Sequence, residues 1–343
     1  MSRKAGIVGY GLSGRTFHLP LIRSLPEDFE VSAVAAGSRL EEAARDLPEA
    51  RIVRTAEELF RLPGLDLAVI ASPSGLHAAH ARAALEAGLA VVLEKPFAST
   101  VREAETLIRA SEAAGLPLAV FHNRRWDADF RTLSGLLDRD ALGEVSEAEF
   151  RWERFRPSVQ DRWKERPGPG AGLLWDLGPH LFDQAFRLFG PFDWVMADVA
   201  AQRPGTRVDD WFHTVLGSGK RRIILHAGCL APDTGFHFRV HGAKATFRTF
   251  GEDGQEAMLR AGGLPGSPGW GTMPGAGLLS RSDGSEERMD LAGGDWREFY
   301  RGLAAALDGR GPLPVEPAGA LETLRLMEAA KVSSETGRRV TLG

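Results

Sequence analysis

Lysine is scarce in this 343-residue chain, and one of its six lysines, Lys95, stands between a short apolar run and Pro96. A proline cannot continue a helix, so Glu94-Lys95-Pro96 reads as a turn that aims the ammonium outward from a strand end. An ammonium in that place can stabilise a developing alkoxide. A surface lysine paired with Glu94 is the plainer reading, and both stand at this point. Asp176 and His180 are four residues apart in a helical pattern, so both point to one face. That face either offers an acid–base pair to a ligand or carries an ordinary surface contact. Nearer the start, Gly9-Tyr10-Gly11-Leu12-Ser13-Gly14 follows an apolar run and precedes Phe17, Leu21, Ile22 and Leu25 at helical spacing. Strand, glycine turn and helix in that order form a dinucleotide-binding βαβ opening. Gly9 permits the sharp turn, Gly11 lets a pyrophosphate approach the backbone, and Gly14 lets helix and strand pack closely. The helix N-terminus then offers N–H groups and a positive dipole end.

These groups need a scaffold, and the hydrophobic pattern supplies one. Strands are expected at 29–36, 51–54, 65–72, 90–93 and 116–121, alternating with helices at 40–47, 56–62, 77–87 and 100–114. Strands alternating with helices imply a doubly wound parallel sheet, whose ligands bind at the carboxyl ends of the strands. The loops there place Gly9, Gly11, Leu12, Ser13, Gly14, Ser38, Arg39, Ser72, Pro73, Ser74, His77, Glu94 and Lys95 as expected cofactor contacts. The second strand ends in Gly37-Ser38-Arg39, with no acid before Glu41. A hydroxyl and a guanidinium suit the 2′-phosphate of NADP better than the bare ribose of NAD, although NAD stays admissible. Arg39 as an ordinary solvated helix-start residue is the competing reading.

Past residue 127 the pattern changes. Helices are expected at 130–137, 173–189, 295–307 and 318–335. Strands are expected at 144–156, 194–202, 210–217, 221–230, 236–241, 245–250 and 338–342. Consecutive strands without helices imply an antiparallel sheet. The glycine-rich stretch 251–294 is too long for a passive loop and is expected to fold over a site or an interface. The expected division is a Rossmann domain over 1–122 and a substrate and oligomerisation domain over 123–343, with the last helix, about 316–337, packing back on the first domain.

The net charge of −4 argues against nucleic acid, and no apolar run approaches membrane-spanning length. The lone Cys229 excludes an intramolecular disulfide. With no signal-peptide pattern, the expectation is a cytoplasmic protein. His77 and His80 have no third partner in the pattern, so no metal is expected. Where composition disfavours lysine and asparagine, Lys95 and the single Asn123 draw notice.

Together, Gly9 to Gly14, Glu94-Lys95-Pro96, Asp176 with His180, and the last two helices resemble the glucose–fructose oxidoreductase/inositol dehydrogenase/MocA (Gfo/Idh/MocA) family over essentially the whole chain. The strings Phe121-His122-Asn123-Arg124-Arg125-Trp126-Asp127 and Asp176-Leu177-Gly178-Pro179-His180 are similar to those of NADP-dependent scyllo-inositol dehydrogenases. The resemblance implies a Rossmann domain plus an α+β domain with an open, mainly antiparallel sheet. It implies that Lys95, Asp176 and His180 are catalytic, and that a cyclic polyol or sugar is oxidised at a secondary alcohol. Asn123, Arg124, Asp127, Arg162 and His180 are the expected substrate contacts. The same fold hosts NAD-dependent glycoside hydrolysis and non-enzymatic NADP-binding regulators; a regulator has no need of Lys95 or His180. With helices on one side of the second sheet only, its other face is expected to be apolar, supplied by Trp211, Val215, Ile223, Leu225 and Val240, and to build a homodimer or homotetramer.

Overall fold

The computed structural model describes residues 2–343 and divides into two compact units, each with its own sheet. The first comprises 1–123, 255–270 and 295–321; the second comprises 124–254, 271–294 and 322–343.

The first unit holds six strands: β1 (Arg3–Val8), β2 (Phe29–Ala35), β3 (Arg51–Val53), β4 (Leu67–Ile70), β5 (Ala90–Leu93) and β6 (Leu118–Val120). All pairs are parallel, in the order β3-β2-β1-β4-β5-β6. Every residue of β4 and β5 is buried, which is why these segments read as unbroken apolar runs rather than as alternation. The strand order reverses between β1 and β4, the crevice where such sheets take ligands. The intervening helices are α1 (Leu19–Arg23), α2 (Leu40–Asp46), α3 (Ala56–Phe60), α4 (His77–Glu86) and α5 (Val101–Ala114). α5 shows clear start and stop chemistry. The Thr100 hydroxyl accepts from the Glu103 N–H at 3.2 Å, and Gly115 closes the helix in the left-handed region at φ 64°. One departure concerns the helix after the glycine turn, which opens as a wide π-turn over Leu12–His18 before becoming regular. Pro20, with no N–H to give, follows directly, where an early helical position tolerates it.

In the second unit the strands are β7 (Val145–Glu153), β8 (Trp194–Ala200), β9 (Trp211–Ser218), β10 (Arg221–Gly228), β11 (Phe236–Gly242), β12 (Ala245–Phe250), β13 (Gly277–Arg281), β14 (Glu286–Met289) and β15 (Val340–Thr341). They form one sheet in the order β14-β13-β12-β11-β7-β10-β9-β8-β15. The expectation of an antiparallel sheet holds for every pair but one. β7 lies between β10 and β11 and runs parallel to β10, because it enters the sheet before the long helix α7 (Leu173–Phe189) rather than within the later meander. α6 (Ala128–Asp138) and α7 contribute Leu133, Leu177, Leu181 and Phe182 to a core with Phe150, Phe212, Leu225 and Phe238. The chain returns to the first unit for α8 (Gln255–Arg260) and α9 (Arg297–Leu307), and ends with α10 (Pro317–Thr336) and β15. The stretch 251–294 is thus divided rather than one passive loop: α8 belongs to the first unit, and β13–β14 is a hairpin extending the second sheet.

The apolar open face needs correction. Ile223, Leu225 and Val240 are fully buried in the core. Trp211 and Val215 lie on the other face, since Val215 pairs with Ile224 and Trp211 with Gly228. Alternation puts neighbours on opposite sides, and the five residues belong to both faces. The pairing instead aligns Met196, Val215, Ile224, Glu149, Arg239 and Arg248 across that face, apolar at one end and ionic at the other. Arg151 bridges Glu149 and Glu153 at 2.7 and 2.8 Å, and Glu153 accepts from His226 at 2.7 Å.

Candidate active site

In the first unit the three glycines have separable causes. Gly9 has φ 101°, and a Cβ there would lie 2.5 Å from the Ala71 carbonyl oxygen. A Cβ on Gly14 would strike the Gly9 carbonyl. Gly11 is different: nothing lies within 4 Å of where its Cβ would be. Packing therefore does not demand glycine at 11, and the open space is what a pyrophosphate needs. Leu12 is exposed beside it, and in the loop after β4 the buried Ser74 hydroxyl has no hydrogen-bond partner among the described residues. These features fit a dinucleotide lying along the strand ends.

Lys95 follows β5, and the carboxylate before it organises the turn. Glu94 accepts from the Lys95 N–H at 3.0 Å, from His18 Nε2 at 3.2 Å and from the Ser13 hydroxyl. His18 Nδ1 in turn meets the Tyr300 hydroxyl at 2.6 Å. Burial pushes the Glu94 carboxyl up, but the bond and charge of His18, the charge of Lys95 and the Ser13 hydroxyl outweigh it and hold the group at about 2. Glu94 and Ser13 thus spend their polar atoms on each other and on this network. His77 ties two loops together, its ring nitrogens 2.9 Å from the Pro96 carbonyl and 3.0 Å from that of Ser72. Burial lowers its pKa against the pull of those carbonyls and Glu94. Ser72 also meets His80 at 3.0 Å. Pro73 precedes the short turn Ser74–Leu76. Ser38 and Arg39 sit exposed at the end of β2, and the Arg39 guanidinium donates to Glu42 at 3.3 Å. Glu42 also pairs with Arg15, which reaches Asp46 at 2.7 Å. Asn123, buried, is the last residue of this unit's first segment.

In the second unit, Asp176 and His180 lie one turn apart on α7. Asp176 pairs with Lys164 and lies 3.7 Å from Arg154. His180 is buried against Trp152, with ring centroids 5.6 Å apart. Arg124 stacks on the same indole at 4.7 Å and pairs with Asp127 at 3.2 Å. The turn carrying both is clamped to α7: Arg125 holds Asp183 through two bonds of 2.8 and 2.7 Å, and Gln184 donates to the Arg124 carbonyl at 3.0 Å. Arg124, Asp127 and His180 are therefore gathered around one tryptophan. Arg162 lies apart from them. It pairs with Glu165, and the short turn it precedes carries Lys164 to Asp176.

Residues 3–122 match the model of an oxidoreductase family's NAD-binding Rossmann fold, and residues 135–342 match that family's C-terminal alpha/beta domain. The chain belongs to the Gfo/Idh/MocA family. Among its relatives, the scyllo-inositol 2-dehydrogenase (NADP(+)) IolW of Bacillus subtilis is 40% identical over 99% of this chain and 96% of its own. The uncharacterized oxidoreductase YdgJ of Escherichia coli is 40% identical over 99% and 98%. The solved structure of the oxidoreductase yvaA from Bacillus subtilis superposes with a TM-score of 0.96 at 39% identity, covering 100% of this chain and 99% of that one. This Gfo/Idh/MocA member is an NAD(P)-dependent oxidoreductase whose first unit is the nucleotide-binding fold. No helix among the described residues is long and apolar enough to cross a membrane, and no cluster of three metal-binding side chains occurs among them.

Several residues of the site gave no signal in the sequence. His18 reaches Glu94 from 76 positions away, and Tyr300 reaches His18 from 282 positions away, with no motif linking them. Trp152 and Arg154 lie within the expected strand 144–156, but no local pattern ties them to Asp176 or His180. Lys164 was among the six lysines but sat in a Pro/Gly-rich loop with no pattern to aim it.

Proposed function

We propose that this family member uses NADP to interconvert a secondary alcohol and a ketone on a cyclic polyol or sugar of the inositol type. The observation that carries the reading is the pairing of His180 and Asp176 on one face of α7, gathered with Trp152, Arg124 and Asp127 into a site rich in donors and acceptors. The whole-chain likeness to an NADP-dependent scyllo-inositol 2-dehydrogenase supports it. Bound NADP supplies the hydride acceptor in oxidation and, reduced, the donor in the reverse direction. His180 takes the carbinol proton in oxidation and returns it in reduction, a role suited to imidazole near neutral pH. Lys95 stabilises the negative charge that develops on that oxygen, and the network at Glu94 holds its main chain in place. Asp176, biased by Lys164, orients the acid–base group or binds a neighbouring hydroxyl. Asn123, Arg124 and Asp127 read the remaining hydroxyls, and Arg162, held by Glu165, supports the turn that carries Lys164 to Asp176. Ser38 and Arg39 bind the 2′-phosphate; Gly9, Gly11, Leu12, Ser13, Gly14, Ser72, Pro73, Ser74, His77 and Glu94 build the rest of the cofactor seat. Purified protein with NADP, tested against inositols and aldoses at the NADPH absorbance, checks this reading. NADPH formed from at least one of them supports it, and none from any refutes it.

We further propose a homodimer or homotetramer built on the open face of the second sheet. Met196 is half exposed there at 50%, beside Val215 and Ile224, and the ionic row next to them offers both signs of charge to a second copy. Light scattering at micromolar protein tests it; a monomer refutes it.

A further inference from the structure

The inward-facing side of β7 does not end with its last residue. The chain stays extended past Glu153, with the Arg154 N–H bonded to the Gly228 carbonyl at 3.0 Å and the Arg156 N–H to that of Cys229 at 2.7 Å. A bridge between Phe155 and Leu230 lies between them. Side chains two apart on an extended chain share a side, so Trp152, Arg154 and Arg156 continue one row while Phe155 turns outward, 58% exposed. Trp152 is the ring that packs on His180. Arg154 is next, its guanidinium 5.5 Å from that ring and 3.7 Å from Asp176. Arg156 comes last.

The charges along this row do not balance. Asp176 is already paired with Lys164 as well as facing Arg154. Glu165 is shared by Arg162 and Arg203, and Arg203 also takes Asp210. Arg154, Arg156, Arg162, Lys164 and Arg203 therefore have three carboxylates as ion-pair partners, while that of the neighbouring Asp209 is taken up by the Leu174 N–H. The guanidinium left over is that of Arg156, half-buried, with no hydrogen bond or ion pair from its side chain among the described residues. Burial, then the nearby charges of Arg154 and Arg162, push its pKa down against the weaker pull of Cys229 and Asp176. A planar guanidinium with free donors, backed by a second one, is the arrangement that takes a carboxylate or phosphate through paired bonds.

We infer that Arg156, with Arg154, forms an anion-recognition subsite at the end of the row that begins under His180, and that the substrate is a polyol or sugar bearing a carboxylate or phosphate. This rests on the assignment of the second unit as the substrate-binding part of a polyol or sugar oxidoreductase. Arg154 then divides its charge between Asp176 and the substrate, and Arg156 commits its charge to the substrate. A neutral polyol leaves Arg156 as it stands, a half-buried cation with no ion-pair partner of its own among the described residues.

The test reads binding apart from turnover. Full-length protein saturated with NADPH is titrated calorimetrically with D-glucose, D-glucuronate and D-glucose 6-phosphate, and with myo-inositol against myo-inositol 1-phosphate. At least one anionic probe is expected to bind about 10- to 100-fold more tightly than its neutral partner, with the preference shrinking as salt rises. The carboxylate and phosphate arms distinguish the two sources of charge. Arg156→Gln is expected to abolish the preference and Arg156→Lys to keep part of it, each checked for an unchanged melting temperature. Equal affinity for every charged and neutral pair overturns the subsite, as does a preference that survives Arg156→Gln in folded protein. If anionic probes bind selectively but no polyol or sugar supports NADP reduction, the oxidoreductase substrate assignment fails while the anion site stands.

Discussion

Replacing Glu94 by glutamine keeps the shape of the side chain and removes its charge, and the structure sets the size of the effect. The carboxyl is held at about 2 against an ordinary 4.5, despite burial that pushes it the other way. A difference of roughly 2.5 units is worth about 3 kcal/mol of folding stability, each unit being about 1.4 kcal/mol. The sign follows from the direction of the shift. A carboxyl depressed in the folded state contributes its full stabilisation above its unfolded value, near 4.5, and loses it as pH falls toward 2. The amide also carries only one acceptor oxygen, whereas the Ser13 hydroxyl, the His18 ring and the Lys95 N–H all converge on Glu94. Urea unfolding of wild type and Glu94→Gln between pH 2 and 8 is the assay. The expected result is a deficit of about 3 kcal/mol at pH 7 that narrows steadily below pH 4.5. Because the same carboxylate fixes the Lys95 main chain, kcat is expected to fall as well. A variant as stable as wild type at pH 7, or a deficit unchanged from pH 8 to 2, refutes the reasoning.

Other expectations follow from the same geometry. His180→Ala and Lys95→Ala each lower kcat by about 10²- to 10⁴-fold, with NADP affinity at His180→Ala nearly unchanged in a fluorescence titration; full turnover by His180→Ala removes it as the base. Wild type prefers NADP to NAD by about 10- to 100-fold in kcat/KM, and Arg39→Ala loses most of that preference while NAD use barely changes. Glu42 holds Arg39 and shares Arg15 with Asp46, and it stands near the expected 2′-phosphate, so Glu42→Gln releases the Arg39 guanidinium, leaves Arg15 on Asp46 and strengthens NADP binding several-fold; weaker binding contradicts that arrangement.

Much of the scaffold was legible because burial writes itself into pattern. β4 and β5 are buried on both faces and read as continuous apolar runs, while α5 announced its end through Gly115. What escaped has physical reasons too. β14 is almost wholly exposed and polar, so its Glu286–Met289 segment shows no period-two signal. The parallel pairing of β7 with β10 depends on where a strand is inserted, which no local pattern encodes. Which side of β9 and β10 faces the helices depends on register, and Trp211 and Ile223 lie on opposite sides. At the candidate site, the glycine turn stood out by spacing, whereas Lys95, Asp176 and His180 were singled out by the family resemblance. The partners that tune them, His18, Tyr300, Trp152 and Lys164, are joined to them only by the folded chain.

The central claim is that this chain moves a hydride between NADP and a polyol carbon, and isotope transfer tests it most directly. The protein is incubated with a keto-inositol and NADPH carrying deuterium at C4 of the nicotinamide, on the transferring face, and the product is analysed by mass spectrometry. The account predicts one deuterium on the new carbinol carbon of each product molecule, at a rate that collapses in His180→Ala and Lys95→Ala. Product without deuterium, or no reduction of any keto-polyol or keto-sugar under conditions where NADPH is bound, contradicts it.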